Sequence, residues 1–136
     1  MPLVSRKGIL AIAAVIDIAI HARSHPVSAK ALAARHKLPP RHLEPVLQAL
    51  VRYGILKGIR GPHGGYELAR EPRRVTAEDI MRAAGSAEEE SEPPLPASAL
   101  IAGVVRPALA EAEQTFSAAL RRINVEDLVK SAEGLK

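Results

Sequence analysis

The sequence contains no cysteine and no tryptophan, and aromatic residues make up only 2% of its 136 residues. The absence of cysteine excludes disulfides, thiolate metal sites, cysteine nucleophiles and any cluster held by the chain's own sulfur ligands. With two tyrosines and one phenylalanine, the core has to be built from alanine, leucine, isoleucine and valine, and alanine-rich composition favours helices. The length predicts one domain, or one domain with an appendage.

Long hydrophobic runs are also missing. The apolar run near the start, residues 9–20, is shorter than the roughly 20 residues needed to cross a bilayer and is interrupted by Asp17. Because no targeting or membrane segment is visible, we expect a cytoplasmic protein without membrane contact.

Catalytic and metal-binding spacings are absent as well. No nucleophile elbow or His-Glu-x-x-His pattern occurs, so the sequence predicts neither an enzyme nor a cofactor. His21 and His25 are four residues apart, a spacing that suits two metal ligands on one helix face, but no third ligand is evident. We therefore expect no metal site, and we interpret the glutamates of residues 88–92 as a solvated acidic segment.

Charge divides the chain into two halves. Residues 1–75 carry 13 Lys and Arg against 4 Asp and Glu, a net charge of +9, whereas residues 76–136 carry 6 against 11, a net charge of −5. A basic half of this density is typical of a surface that faces a polyanion such as DNA. A solvated basic surface is the alternative that charge alone leaves open.

The first predicted helix covers residues 5–21, with Ser5 as its N-cap. Its apolar residues occur on nearly every side, which predicts burial on nearly every side and contact with a second subunit. Its most regular apolar face consists of Ile9, Ile12, Ala13, Ile16 and Ile20.

Two shorter helices are predicted next. Ser28 caps a helix that reaches about His36, and Pro39 and Pro40 start another that ends near Tyr53, followed by Gly54 as its C′ residue. One face of the second helix is an apolar stripe, formed by Leu43, Val46, Leu47, Leu50 and Val51. The opposite face consists of Arg41, Glu44, Pro45, Gln48 and Arg52. Two helices joined by a tight turn, with a polar outer face on the second, indicate a helix-turn-helix.

A β-hairpin is predicted directly after this helix pair. Residues 55–59 form a β-type run, and a Gly- and Pro-rich turn within residues 60–66 leads into a second strand. A nucleotide-binding glycine loop is the competing interpretation, which we reject because no helix opens after the glycines and no GKS or GKT follows. A hairpin placed after a helix-turn-helix makes a winged helix.

The acidic half is predicted to hold a capped helix, a mobile loop and a long helix. Thr76 and Asp79 form a near capping box for a helix that ends at Gly85, and residues 86–96 are acidic, proline-rich and short of apolar groups.

Pro107 lies in the first turn of the long helix, after a separate or kinked turn over residues 99–104. A heptad seam runs along the long helix through Val105, Leu109, Ala112, Phe116, Ala119 and Ile123. We interpret this seam as a dimer interface, the alternative being a helix packed on its own domain; Val125, Leu128 and Val129 form a short closing element.

The predicted architecture is therefore mainly α with a small β-hairpin wing. It consists of a winged helix-turn-helix over residues 1–84, an acidic loop over residues 85–97, and a long C-terminal dimerisation helix with a closing segment over residues 98–136.

Several motifs, in order along the chain, resemble one known family. They are Lys7-Gly8, His42-Leu43-Glu44, the wing Arg-Gly-Pro-x-Gly-Gly-Tyr at 60–66 with Leu68-Ala69-Arg70, and Ile123-x-Val125-x-Asp127-Leu128. The family is that of the bacterial winged-helix repressors that include IscR, NsrR and CymR. The resemblance implies a homodimeric, sequence-specific DNA-binding repressor on a partly palindromic operator, with helices in the major grooves and wings in the minor grooves. The implied contacts with double-stranded DNA are Lys7, Ser28, Arg41, His42, Glu44, Gln48, Arg60, Gly61, His63, Gly64, Gly65 and Tyr66.

Three departures from the family pattern bear on mechanism. Lys37 stands where the family usually has a turn glycine, so it either adopts a left-handed conformation or alters the turn. His63 replaces the usual glycine at the wing tip. The sensor members carry three cysteines before the long helix and this chain carries none, so we expect no iron-sulfur cluster and a signal from an unidentified effector ligand or partner protein.

Two other functions remain open at this point. One is a protein-interaction module that regulates a partner enzyme or polymerase through the winged-helix surface. The other is a small-molecule sensor with a pocket between the DNA-binding half and the dimer helix.

Overall fold

The core is formed by aliphatic and alanine side chains contributed by helices from both halves of the sequence. The computed structural model describes residues 4–89 and 98–135. In chain order its elements are α1 (Arg6–His21), α2 (Ala29–His36), α3 (Pro40–Arg52), β1 (Leu56–Ile59), β2 (Gly65–Leu68), a 3-10 turn (Pro72–Arg74), α4 (Ala77–Glu89), a π turn (Ile101–Val105), α5 (Arg106–Arg121) and α6 (Val125–Glu133). Among the residues described, no helix is both long and apolar enough to cross a membrane.

The predicted helix starts are confirmed by their side-chain caps. Ser5 and Ser28 each accept a hydrogen bond from the amide three residues on, at 3.0 Å. Thr76 and Asp79 form a reciprocal capping box, with the Asp79 amide donating to Thr76 Oγ1 at 3.2 Å and the Thr76 amide to Asp79 Oδ2 at 3.1 Å. Each cap provides partners for amides that lack one in the first turn of a helix.

The most regular apolar face of α1 is not the face that packs into the core of this chain. Ile9 is 57% exposed and Ala13 is also exposed, whereas the buried residues of the helix are Gly8, Ala11, Ala14, Val15, Asp17 and Ile18. When a helix is apolar on nearly every side, periodicity cannot select the face that packs. Gly8 lies against the flexible end of the Met81 side chain of α4, which would have to move if position 8 carried a Cβ.

The turn between α2 and α3 adopts a left-handed conformation at Lys37, with φ 54° and ψ 46°. The Leu38 amide donates to the Ala33 carbonyl at 2.9 Å, the bond that defines a Schellman ending. Lys37 therefore occupies the αL position that glycine adopts at less cost. The same ending recurs after α3, where Gly54, the predicted C′ residue, has a left-handed φ of 74°.

The two faces of α3 are separated as the pattern predicts. Leu43, Val46, Leu47 and Leu50 are buried, and Val51, at 36% exposure, lies at the edge of the stripe. Pro45 lies inside the helix on the exposed side. This helix is consequently anchored along one face and open along the other.

The predicted hairpin is present and is attached to the helical core. β1 and β2 pair antiparallel, with Leu56 opposite Leu68 and Ile59 opposite Gly65. Val27, in the connection between α1 and α2, pairs with Tyr66 through amide–carbonyl bonds of 2.9 and 2.7 Å. The base of the wing is thus fixed to the first half of the helix-turn-helix.

The prediction that Gly85 ends α4 is wrong, because the helix continues to Glu89. Gly85 shows no left-handed φ, and a helix-interior glycine costs only about 1 kcal/mol relative to alanine. The alanines before it and the residues after it favour helix strongly enough to continue. Residues 86–89 of the predicted loop are therefore helical, and the rest of that loop, residues 90–97, lies outside the described residues.

Pro107 explains the irregular turn before α5. A proline has no amide to donate and its ring collides with the carbonyl four residues earlier. The turn over Ile101–Val105 widens into a π turn, and the Arg106 amide donates to the Ile101 carbonyl. The kinked turn expected from sequence is confirmed in this form, as a local bulge in the helix.

The C-terminal segment returns to the core of the first half. Val125 is completely buried, and its amide donates to the Val75 carbonyl at 2.9 Å. Asn124 caps α6 by accepting the Asp127 amide at 2.9 Å. The predicted closing element is thus a helix, and it packs against α1.

Candidate nucleic-acid interface

The outer face of α3 presents polar side chains of several kinds to solvent. Arg41, His42, Glu44 and Gln48 are all exposed. In the part of the chain that the structure describes, none of these four side chains is held by a hydrogen bond or an ion pair. Guanidinium, amide and carboxylate groups of this kind form bidentate or accepting contacts with base edges in the major groove.

The wing combines exposed and shape-determining residues. Arg60, Gly61 and His63 are exposed, whereas Gly64, Gly65 and Tyr66 are partly buried. The Gly64 amide closes the tip by donating to the Gly61 carbonyl at 3.0 Å.

The last two glycines of the wing are required by close backbone approaches. A Cβ at Gly64 would collide with the Ile59 carbonyl oxygen, and one at Gly65 with the Val27 carbonyl oxygen. Gly65 also has a positive φ of 155°. These two glycines, which the family resemblance implies as DNA contacts, shape and anchor the wing.

Lys7 and Ser28 lie at the starts of two helices, apart from the α3 face. Lys7 is partly buried in the first turn of α1. Ser28 accepts the Ala31 amide through its Oγ at 3.0 Å, which leaves the hydroxyl hydrogen to donate elsewhere. The predicted contacts are therefore distributed over α3, the wing and two helix N-termini.

A buried acidic residue that the sequence reasoning missed connects α1 to α2. The Asp17 side chain is 3% exposed and accepts hydrogen bonds from Arg35 Nε at 2.9 Å, Arg35 Nη2 at 2.8 Å and His36 Nε2 at 2.8 Å. Burial alone raises the pKa of Asp17, but the hydrogen bonds from Arg35 and His36 and the charges of Arg35 and His21 outweigh it, so its pKa lies below the ordinary 3.8.

The Asp17 contacts fix the end of α2 just before the turn into α3. Arg35 and His36 are the last two residues of α2, and Lys37 follows at once. An Asp within an apolar run, followed later by an Arg-His pair at a helix end, is the only sequence signal of this arrangement. By fixing the end of α2, the Asp17 contacts orient α3, the helix whose outer face is exposed.

The predicted seam on α5 remains exposed. Val105 is 41% exposed, Leu109 53% and Ile123 40%; Ala112 and Ala119 are exposed and Phe116 is partly buried. No residue of α5 is buried. The helix is joined to α4 by an ion pair between Arg121 Nε and Glu78 Oε2 at 3.0 Å. The described part of the chain does not cover its seam, and a dimer interface there stays a prediction.

A helix-turn-helix with an exposed second helix and an attached hairpin wing defines a winged-helix transcription regulator. The sequence profile of the Rrf2 family, described as "Iron-dependent Transcriptional regulator", matches residues 4–131. The chain belongs to the Rrf2 family. Its relatives are transcriptional regulators and not enzymes.

Curated relatives show the same relationship. The regulator CymR of Bacillus subtilis is 37% identical over 79 residues, which cover 58% of this chain and 57% of CymR. Protein rrf2 of Nitratidesulfovibrio vulgaris is 29% identical over 122 residues, 86% of this chain and 80% of that protein. The matched region thus covers less than two thirds of the full length of CymR.

Solved structures extend the similarity to the whole fold. IscR of T. potens has a TM-score of 0.73 at 30% identity, covering 99% of this chain and 93% of that one. CymR of B. subtilis has a TM-score of 0.73 at 28% identity, covering 96% and 98%. The predicted mainly helical winged fold and the family resemblance are confirmed.

The iron in the family's description does not fit the residues present. The chain has no cysteine to ligate a cluster. Within residues 4–89 and 98–135, no group of three or more His, Asp or Glu side chains is placed to hold a metal ion. His21, His25 and His63 line one cavity, but among the described residues they do not form a group that could hold a metal ion.

Proposed function

We propose that this chain is a DNA-binding transcriptional repressor that acts as a homodimer on a partly palindromic operator, without an iron-sulfur cluster of its own. The observation that carries the proposal is the arrangement of α3. Its apolar face packs into the core while Arg41, His42, Glu44 and Gln48 are exposed on the other side. Contact with a bacterial operator requires a protein in the cytoplasm, as the sequence predicts.

In this proposal α3 enters the major groove and the wing enters the adjacent minor groove. Arg41 and Gln48 have the reach and the donors for bidentate contacts with guanine and adenine. Arg60, exposed at the start of the wing turn, suits the electronegative minor groove. Lys7 and Ser28 contact phosphates, which position the protein without selecting sequence.

Dimerisation is supported by the uncovered seam of α5. A row of apolar side chains, with Leu109 more than half exposed at 53%, is unfavourable in water and is typical of an interface. A symmetric dimer buries the same seam from both copies. The two α3 helices are then presented together, as a palindromic operator requires.

Regulation does not use cysteine chemistry in this chain. Without cysteine, neither a thiol switch nor a cluster with cysteine ligands forms. We therefore assign the signal to an effector ligand or a partner protein. The purified protein is expected to be colourless and to bind its operator equally under air and under reductant.

The experiment that tests the function is selection of bound duplexes from random DNA, followed by binding measurements with variants. Arg41→Ala and Gln48→Ala should relax specificity at particular positions by about 1–3 kcal/mol for each bidentate contact. Lys7→Ala should weaken binding to all duplexes equally and reduce the salt slope by about 1. Lys130→Ala, which removes an exposed cation from α6, is the matched control and should change neither.

Two outcomes contradict the proposal. Failure of the selection to enrich any sequence would argue against operator recognition. Equal losses on selected and random duplexes for Arg41→Ala, Gln48→Ala and Lys7→Ala would overturn the assignment of base-contacting and phosphate-contacting residues.

A further inference from the structure

A cavity of about 530 Å³ lies between the end of α1, the start of α2 and the tip of the wing. It is open to solvent, and four of its lining side chains are basic or can become so: His21, His25, Arg35 and His63. No acidic side chain lines it among the described residues. The basic groups come from α1, the connection between α1 and α2, α2 itself and the wing turn, so the fold assembles this site from several segments of the chain.

The hydrogen bonds around the cavity leave donors available. Arg35 uses Nε and Nη2 to bind Asp17, so Nη1 is not engaged by that carboxylate. Ser24 Oγ lies 2.9 Å from His25 Nδ1, so His25 Nε2 is not used by that contact. His63 is exposed at the wing tip.

The charge of the lining depends on the three imidazoles. The Asp17 carboxylate, which is 3% exposed, binds Arg35 and balances its positive charge. His36 bonds to the same carboxylate, and His21 Nε2 lies 4.0 Å from it. Histidine is the side chain type that changes charge between about pH 5 and 8.

We propose that this cavity binds a phosphate group. Arg35 and three imidazoles line it, and the Asp17 carboxylate that binds Arg35 is not among the lining residues. Guanidinium and imidazole N–H groups form short, strong bonds with phosphate oxygens. A cation is excluded by the same chemistry, since Arg35 lines the cavity and no metal-binding group of three ligands is found in the described residues. The cavity volume accommodates a phosphate together with its ester substituents.

Two sources can supply the phosphate. The first is the DNA backbone beside the wing, since Pro62, His63 and Gly64 form one wall of the cavity; this source rests on the proposed function. The second is a free phosphorylated metabolite, which would make the cavity an effector site. The chemistry is shared, and the experiment separates the two.

The test uses the histidine ring signals of the full chain in NMR at about pH 6.5, where imidazoles titrate. Three of the five histidines line the cavity, and His42 on α3 serves as the internal reference. One arm adds inorganic phosphate against sodium chloride at equal ionic strength. The other adds a duplex recovered by selection from random DNA.

Saturable shifts of His21, His25 and His63 with inorganic phosphate, while His42 stays unchanged, support the free-phosphate source. Shifts of the same three signals with the duplex alone support the backbone as the source. In either arm the double variant His25→Gln, His63→Gln should bind about tenfold more weakly, and Lys130→Gln should match the parent.

Cavity signals that stay unchanged in both arms overturn the inference. If the duplex shifts His42 but not the cavity histidines, and phosphate also has no effect, the proposed function stands and the cavity assignment fails. If the duplex shifts nothing, the proposed function fails, and the phosphate arm decides the cavity by itself.

Discussion

Replacing Asp17 by Asn should destabilise the protein by about 2–3 kcal/mol at neutral pH. The carboxylate accepts three short hydrogen bonds from Arg35 and His36, at 2.8 to 2.9 Å, and bonds to charged groups contribute about 1.5–3 kcal/mol each. An asparagine keeps one acceptor oxygen, but its NH₂ group replaces the other oxygen and faces N–H groups of Arg35 and His36 that are donors themselves. Arg35 and His36 are 36% and 42% exposed, so water compensates part of the loss, and the cost stays below that of a fully buried pair.

The pH dependence provides a second measurement on the same variant. Because the folded-state pKa of Asp17 lies below its ordinary value, its ionisation stabilises the parent above about pH 4 and that contribution is lost as the pH falls through the lowered pKa. Asparagine does not ionise. The difference between parent and variant should therefore be full at pH 7 and should shrink as the pH falls below the ordinary pKa of an aspartate and through the lowered pKa of Asp17.

Urea denaturation at several pH values measures both quantities, with Glu133→Gln as the control. Glu133 pairs with Arg23 at 3.1 Å, but both side chains are exposed, at 46% and 65%. Exposed pairs contribute about 0–1 kcal/mol, so this variant should stay within about 0.5 kcal/mol of the parent. A loss for Asp17→Asn equal to that of the control, or a difference that does not change with pH, would refute the reasoning.

Three further predictions follow from other parts of the structure. Replacing both Leu109 and Phe116 by Glu should place charges in the proposed interface and convert the dimer to a monomer in light scattering; a parent that is already monomeric contradicts the dimer. Lys37→Gly should raise the free energy of unfolding by about 0.5–1 kcal/mol, because glycine adopts the left-handed conformation of φ 54° without strain; a destabilised variant in urea denaturation would argue against strain there. Gly65→Ala should lower the thermal midpoint and weaken operator binding, because its Cβ has no room, whereas Gly58→Ala, with nothing within 4 Å, should be tolerated; equal effects would show that the wing base is not tightly packed.

Local signals in the sequence determined most of the secondary structure. Helix starts are decided by side chains within three residues, as Ser5, Ser28 and the Thr76–Asp79 capping box illustrate. The helix-turn-helix and the wing follow from the same kind of information, because a strongly amphipathic α3 and a Gly-rich hairpin turn need no distant partner to be predicted. The family resemblance rests on these same short motifs, which is why the sequence alone was enough to show it.

The packed face of α1 and the end of α4 have physical causes that lie outside the local sequence. Ile9 belonged to the most regular apolar face of α1, yet it is 57% exposed. Which side of an apolar helix packs is decided by the distant elements that it meets, and α1 packs against α3, α4 and α6. The stop expected at Gly85 did not occur, because a glycine ends a helix only where a left-handed turn is required, and residues 86–89 continue in helix.

The sequence by itself determined the fold class, the two faces of α3, the wing and the exclusion of cysteine-based chemistry, since each depends on residue types at short spacing. Tertiary structure alone decided that Asp17 would be buried against Arg35 and His36. It also decided that histidines at positions 21, 25 and 63 would line one cavity with Arg35. Arg35 lies 18 residues from Asp17 along the chain and the wing histidine lies further still, so only the packing of α1, α2 and the wing brings these groups close enough to interact.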